Sequence, residues 1–296
     1  MDQRIPPALW RLIRPTHWIK NGFILSPLLV SAVFGFRELT HAIIAVAIFC
    51  VAASSIYVWN DLLDQDRDRL HPTKRDRPIA AGIISTQLAW IVTISLTSVA
   101  LVATHLFLPE VNIPLIAYFI LNIAYTLKLK HVVLIDIFAV AANYIIRIVA
   151  GSLAIHQPIT PWMTVLGTLL ALFLALGKRR GERMECGDAA GDHRSTLSEY
   201  SPEFLDRLLL ITTPTIIAAY IIYTLSSSLA ERVQSTWMPL TIPFVLYGMF
   251  RYFYLMYQKG SGQSPTLTLL KDRPLFITVC CWACAIILIR VFHVYL

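Results

Sequence analysis

The sequence predicts an all-α, polytopic membrane protein: a bundle of about nine transmembrane helices forming a single domain over residues 1–296. Three observations lead there. Apolar residues make up 56% of the chain and charged residues only 15%, with a mean hydropathy of +0.63, outside the range of soluble domains. Apolar runs of roughly 20 residues, long enough for a helix to cross a bilayer, recur with short links between them. Lys and Arg gather in alternate links, as the positive-inside rule requires. Backbone groups in lipid must be satisfied within the fold, and runs of this length do so as helices rather than barrel strands.

The spans are expected near 21–37, 40–59, 83–106, 112–128, 132–154, 160–177, 208–229, 235–257 and 275–295. Residues 1–20 form an amphipathic segment with Trp10 and Trp18 among cations, and lack the short apolar core and cleavage site of a signal peptide. With the N-terminus cytoplasmic, 21 of the 25 Lys and Arg fall in cytoplasmic segments, and only Arg37 and Arg232 fall outside. Arg147 and Arg290 lie within spans. This pattern predicts a multi-pass protein of the inner (cytoplasmic) membrane with an external C-terminus. The net charge of +7 then reflects that bias and attraction to anionic lipid headgroups, and no nucleic-acid partner is expected. Cys50, Cys280, Cys281 and Cys284 sit in apolar spans and Cys186 in a cytoplasmic loop, so all five are expected as reduced packing thiols.

Orientation does not explain the first cytoplasmic loop, about 60–82. Its stretch NDLLDQDRDRLHPTKRDRP, Asn60 to Pro78, holds five carboxylates and five Lys or Arg. If the second span continues as a helix, Asp61, Asp64 and Asp68 share one face beside Asn60, while Asp66 points away. Clustered carboxylates repel unless a cation sits among them, and oxygen-only ligands suit Mg²⁺ shared with substrate phosphates. Lys74, Arg75 and Arg77 follow directly, so a diphosphate would meet metal on one side and cations on the other.

At these residues the chain resembles the UbiA-type prenyltransferase superfamily, nine-helix membrane enzymes whose first Asp-rich motif looks like NDLLDQDRD followed by HPTKRDRPIAAG. RPTHWIKN at 14–21 and GKRRGE at 177–182 further resemble the superfamily's decaprenyl-phosphate phosphoribosyltransferase branch. The resemblance implies Mg²⁺ as cofactor, 5-phosphoribosyl 1-diphosphate as donor, decaprenyl or another polyprenyl phosphate as acceptor, and a place in arabinan precursor synthesis for the cell envelope. NIAYTLKLK, with Asn122, Tyr125, Lys128 and Lys130, resembles the superfamily's pocket-lining Tyr and Lys motif. Where other members carry a second Asp-rich motif, this chain has Lys178, Arg179, Arg180, Glu182 and Arg183, which suits an anionic second substrate.

Other candidates come from spacing. Asp136, Asn143 and Arg147 share a face over about three turns of the fifth span and are expected to line a polar cavity. Lys178 and Glu182 stand i, i+4 and also fit a helix salt bridge. Asp188, Asp192, His193, Arg194, Glu199 and Tyr200 lie in the second site loop, about 178–207, and Asp272 and Arg273 either close the site or start a helix. Taken with the resemblance, the expected catalytic groups are Asp61, Asp64 and Lys178, and the metal ligands are Asn60, Asp61, Asp64 and Asp68. The substrates are expected to meet Lys20, Asn21, Lys74, Arg75, Arg77, Tyr125, Lys128, Lys130, Asp136, Arg147, Arg179, Glu182 and Arg194. A phosphate acceptor is already nucleophilic, so no general base is demanded. Two other readings stand beside this one: a prenyltransferase moving an isoprenoid diphosphate, and a transporter with a charged cytoplasmic gate.

Overall fold

The computed structural model describes residues 5–31, 35–70, 74–186, 195–226, 229–231, 235–260 and 265–294, and every regular element among them is helical. The chain opens with α1 (Ile5–Ile13), a 3₁₀ segment (Pro15–Leu25) and α2 (Ser26–Val30). Next come α3 (Phe36–Leu63), α4 (Gln65–Leu70), α5 (Thr86–Phe107), α6 (Asn112–Leu127), α7 (Ile135–Ala154) and α8 (Pro161–Cys186). The last part holds α9 (Ser195–Ser198), α10 (Pro202–Leu225), α11 (Ile242–Gln258), α12 (Pro265–Lys271) and α13 (Arg273–Val294). Local chemistry sets several starts. The Ser85 and Ser201 hydroxyls accept the Leu88 and Phe204 amides at the heads of α5 and α10. Asp272 accepts the Leu275 amide at the head of α13 and pairs with Arg251, so it starts a helix rather than closing the site.

Seven helices among the described residues are long and apolar enough to cross a membrane, against the nine spans expected. In the described part of the first expected span, 21–37, the 3₁₀ segment is followed by the five residues of α2, where Pro27 in the first turn lacks the N–H that would continue the ladder. The eighth, 235–257, opens in a 3₁₀ turn, Met238–Thr241, also with proline in its first turn, which leaves 17 residues for α11. Nor does α3 run unbroken through the acidic motif. It stops at Leu63, Asp64 adopts φ −92°, ψ 4°, and α4 resumes at Gln65, with the Asp68 amide still bonding the Asp64 carbonyl.

Two apolar cores divide the bundle. One packs Ile24 against Ala45, Phe49 and Ala52 of α3, Ala100 of α5, Leu115 of α6 and Ala150 of α7. The other gathers Ile137 of α7, Phe173 and Leu176 of α8, Leu205 and Leu209 of α10, and Tyr252 and Met256 of α11. Small residues on α3 let neighbouring backbones approach, the packing mode available when lipid offers no hydrophobic drive between helices. Cys280, Cys281 and Cys284 are exposed on α13 rather than packed inside. Cys50 is half-buried and accepts the Asn21 amide at 3.1 Å; the Cys186 side chain lies outside the described residues.

The 3₁₀ segment is wedged between α3 and α7. It repeats every three residues with a rise of about 2.0 Å each, whereas an α-helix offers one face every four residues at about 1.5 Å each, so both step about 6 Å. Contacts follow that match. Trp18 donates to the Ser54 hydroxyl and Asn21 to Cys50, three residues against four along α3. On α7, Asn21 meets Arg147 and Ile24 meets Gly151, again three against four. At Gly151 the approach is so close that an added Cβ would lie 2.0 Å from the Ile24 carbonyl oxygen. At the far end of the wedge, Arg290 of α13 donates to the carbonyls of Leu28, Leu29 and Ser31 at 2.9, 3.1 and 2.7 Å, satisfying groups that α2 leaves open.

Gly151→Ala should lower stability in detergent by about 1–3 kcal/mol, because its methyl meets backbone. Gly167→Ala should cost less, since its nearest obstacle is the flexible Ile148 Cδ1. Thermal unfolding of the two variants side by side makes the comparison.

Candidate functional site

The acidic motif sorts as its helical phase predicts. Asp61 and Asp68 turn inward and are each about 3% exposed, while Asp66 faces solvent and pairs with Arg69 at 3.3 Å. One nitrogen of Arg77 donates to both inward carboxylates, at 3.0 Å to Asp61 and 2.6 Å to Asp68. Buried Ile79 and Ile84 hold that loop against Leu12, Val58 and Ala89, which fixes Arg77. Arg14 reaches the same Asp61 oxygen at 2.5 Å from the junction of α1 and the 3₁₀ segment, where it adopts φ 50°, ψ 62°. A non-glycine residue in that left-handed region costs roughly 1–2 kcal/mol, which the charged contact with Asp61 offsets. Asp64 stands at the rim with Lys130 Nζ 3.9 Å away. Asn60, expected beside a metal, instead uses its amide oxygen to accept the Thr126 hydroxyl of α6.

Among the described residues no three His, Cys, Asp or Glu side chains converge as a ready cation site. The rim donors are nevertheless all oxygens, and Asp61 and Asp68 already share one cationic nitrogen. Such a pair suits a hard cation that takes its remaining ligands from water and substrate phosphates, as Mg²⁺ does.

Opposite the rim, the end of α8 is organised from beneath. Arg179, 1% exposed, donates to Asp136 Oδ2 at 2.6 Å, to the Tyr125 hydroxyl at 2.9 Å and to Glu182. The Tyr200 hydroxyl donates to the other oxygen of Asp136 at 2.7 Å and accepts the amide of Leu134, whose φ is 65°. Burial first, then the bond to Asp136, raises the Tyr200 phenol well above its ordinary range. Asp136 therefore does not line a cavity with Arg147. It is fully enclosed and pairs with Arg179. Glu182 in turn stands 3.5 Å from Lys178, the salt bridge their spacing allows. Asn143 likewise pairs with Asn122, at 2.7 Å. Arg180 binds Asp206 and stacks on Tyr257, away from the rim. Lys128 and Arg75 are exposed and join none of these contacts. Asp188, Asp192, His193 and Arg194 lie outside the described residues.

The third wall is the 3₁₀ segment, whose threefold repeat puts Arg14, His17 and Lys20 in one eclipsed column. His17 packs 5.1 Å from the Tyr57 ring. Its buried Nδ1 has no hydrogen-bond partner among the described residues. Burial and the charges of Lys20, Arg14, Lys178 and Arg77 push His17 down to about 4. Burial and then Lys178, Arg147 and Arg14 bring Lys20 down to about 7, with Glu182 opposing. Lys74 is lowered by burial and Arg77 while Asp68, Asp64 and Glu182 pull it up. The acidic rim, the end of α8 and the 3₁₀ column thus lie within electrostatic reach of one another. Sequence reasoning missed Arg14, His17, Tyr57 and Tyr118 as members. Tyr57 lies one turn before Asp61, and that i, i+4 relation was the available signal.

Tyr200→Phe keeps the ring that stacks on Phe204 and removes only the hydroxyl shared by Asp136 and Leu134. A hydrogen bond to a charged group is worth about 1.5–3 kcal/mol, so turnover should fall about tenfold or more while the protein stays folded. Steady-state rates and a thermal unfolding scan on one preparation test this.

Comparison with known proteins agrees with this architecture. The profile of the UbiA prenyltransferase family matches residues 23–279. A decaprenyl-phosphate phosphoribosyltransferase of Mycolicibacterium smegmatis is 31% identical over 287 residues, 93% of this chain and 90% of that one. The enzyme of the same name from Mycobacterium tuberculosis is 28% identical over 288 residues, 94% of each chain. A UbiA homolog from Archaeoglobus fulgidus, solved with GPP and Mg²⁺, superposes with a TM-score of 0.69 at 19% identity, covering 96% of this chain and 99% of that one. The same homolog with DMAPP and Mg²⁺ gives 0.68. The chain is a multi-pass membrane protein and belongs to the UbiA prenyltransferase family.

Proposed function

We propose that this protein moves 5-phosphoribose from 5-phosphoribosyl 1-diphosphate to decaprenyl or another polyprenyl phosphate, releasing diphosphate. It would act at the cytoplasmic face of the inner membrane, N-terminus inside and C-terminus outside, making a lipid-linked arabinan precursor for the cell envelope. The observation that carries the proposal is the asymmetry of the cavity. One wall carries Asp61, Asp64 and Asp68, and the facing end of α8 presents Lys178, which Glu182 holds above the buried Arg179. Lys74 lies within electrostatic reach of Asp64 and Asp68 on one side and of Glu182 on the other. A diphosphate donor with a second anionic partner suits it. The names of the relatives support the same chemistry.

Transfer in such a site is a displacement at the ribose. An oxygen of the lipid phosphate forms a bond to C1, the C1–O bond to diphosphate breaks, and the electron pair leaves with the diphosphate. No proton need move, consistent with a histidine held neutral at His17. Asp61, Asp64 and Asp68 would hold Mg²⁺, which when bound supplies charge neutralisation on the leaving diphosphate. Arg77 and Arg14 keep the two buried carboxylates inward, and Lys74 and Lys178 meet phosphate oxygens at the mouth. Glu182 sets the position of Lys178.

Asp61→Asn should cut Mg²⁺-dependent transfer from labelled phosphoribosyl diphosphate to polyprenyl phosphate by ~100-fold or more, the scale of losing a group that stabilises developing charge. Full activity in the variant, or turnover of an isoprenoid diphosphate in place of the phosphoribosyl donor, would remove the assignment. The pH profile offers a separate check. A lysine lowered to about 7 is cationic below that pH and loses its charge above it. The donor's phosphates are already ionised by then, so kcat/KM for donor should fall from pH 7 to 8.5. Lys20→Arg, which keeps its charge, should flatten that fall.

A further inference from the structure

Arg147 is enclosed within the bundle at 5% exposure, yet no partner of its guanidinium carries negative charge. Nε donates to Asn21 Oδ1 at 2.8 Å, Nη1 to the Asn143 carbonyl at 2.7 Å, and Nη2 to the Tyr118 hydroxyl at 3.4 Å. The Tyr118 ring lies 4.8 Å from its Cζ. Arg179, the other buried arginine of the site, has both Asp136 and Glu182. Lys20 stands within electrostatic reach of Arg147 and makes no ion pair among the described residues. A buried cation is tolerated when an anion answers it, and among the described residues neither Arg147 nor Lys20 makes an ion pair, although each lies within electrostatic reach of the other.

That position is deep. Arg14 and Lys20 are two 3₁₀ turns apart, about 12 Å along the segment axis. Asn21, which orients Arg147, contacts Cys50, which lies about 16 Å along α3 from Asp61. The long side chain of Arg147 turns back toward the rim, bonding the carbonyl one turn before it. Around it stand hydroxyl-bearing rings: Tyr57 is within electrostatic reach of Tyr118, Tyr144 and Arg147. The inner end of the cavity is therefore polar and positive, while the carboxylates stay at the outer end.

We propose that Lys20 and Arg147 form a second anion subsite, distinct from the carboxylate rim, that takes the 5-phosphate of the donor. This rests on the phosphoribosyl reading above. A phosphopentose diphosphate carries anionic groups at both ends with a hydroxylated ring between, and the cavity has an anion-handling device at each end with polar side chains between. A prenyl diphosphate would bury its hydrocarbon against two unanswered cations. A polyprenyl phosphate would have to draw its tail into the same polar space. The pair thus selects for the donor's sugar phosphate and against the prenyl donors of fold relatives.

Ribose 5-phosphate and inorganic diphosphate, used as competitive inhibitors of the full-length enzyme in detergent, separate the two ends. In Lys20→Met, inhibition by ribose 5-phosphate should weaken at least tenfold while that by diphosphate stays within about twofold, and Lys20→Arg should restore the first. Asn21→Asp places a carboxylate on Arg147 from within the protein. It should raise the thermal midpoint and abolish the ribose 5-phosphate effect. Unchanged ribose 5-phosphate inhibition in Lys20→Met or Asn21→Asp overturns the subsite, as does an equal loss of both inhibitors, or a loss confined to the lipid phosphate KM. If the unaltered enzyme fails to move phosphoribose at all, the broader function falls, and a thermal shift with ribose 5-phosphate still tells whether the subsite exists.

Discussion

Three residues of 3₁₀ helix advance the chain as far as four residues of α-helix, and this equality lets residues 15–25 lie flush between α3 and α7. An α-helix there would rotate every third residue away by about 60°, and Arg14, His17 and Lys20 would spiral off the cavity instead of stacking along it. Long 3₁₀ runs are unfavourable by themselves. This one is held by side-chain bonds on one face, Trp18 to Ser54 and Asn21 to both Cys50 and Arg147, and by the absence of a side chain at Gly151. Tertiary contacts thus impose a backbone geometry that local propensity would not choose, and the charge arrangement of the site follows from it.

Charge is handled differently at different depths. At the rim, the inward carboxylates Asp61 and Asp68 and the guanidiniums of Arg14 and Arg77 neutralise one another through shared atoms. Beneath α8, Arg179 is saturated by Asp136, Glu182 and Tyr125 and works as a strut. Along the 3₁₀ wall, among the described residues, Lys20 makes no ion pair, and burial with the surrounding cations lowers His17 to about 4. Desolvation is most expensive where that imbalance lies, and an anion bound there would relieve it.

The sequence made the acidic motif legible because one periodicity governs it: Asp61 and Asp68 inward and Asp66 outward is the helical phase, preserved across the break at Asp64. The Lys178–Glu182 bridge was legible for the same reason. Partners distant in sequence were not. Asp136 and Arg147 share a face of α7, but the orientation of α8 gives Asp136 to Arg179, and the 3₁₀ wall gives Arg147 to Asn21. The backbone type of the first expected span was not legible, because its apolar content is the same whether the chain repeats every 3 or every 3.6 residues. Only prolines at 15 and 27 marked the difference, and proline is equally at home in the first turn of an α-helix.

The Arg290 clamp makes the two ends of the chain a single structural unit. The carbonyls of Leu28, Leu29 and Ser31 find their donor 259 to 262 residues later, in α13. Until α13 enters the membrane, the end of α2 has backbone groups that lipid cannot satisfy, and the wall carrying Lys20 and Asn21 lacks its outer anchor. Assembly is thereby ordered: the wall formed by the 3₁₀ segment takes its final shape only after α13 has packed against it, so a helix far along the chain completes a wall built from its early residues.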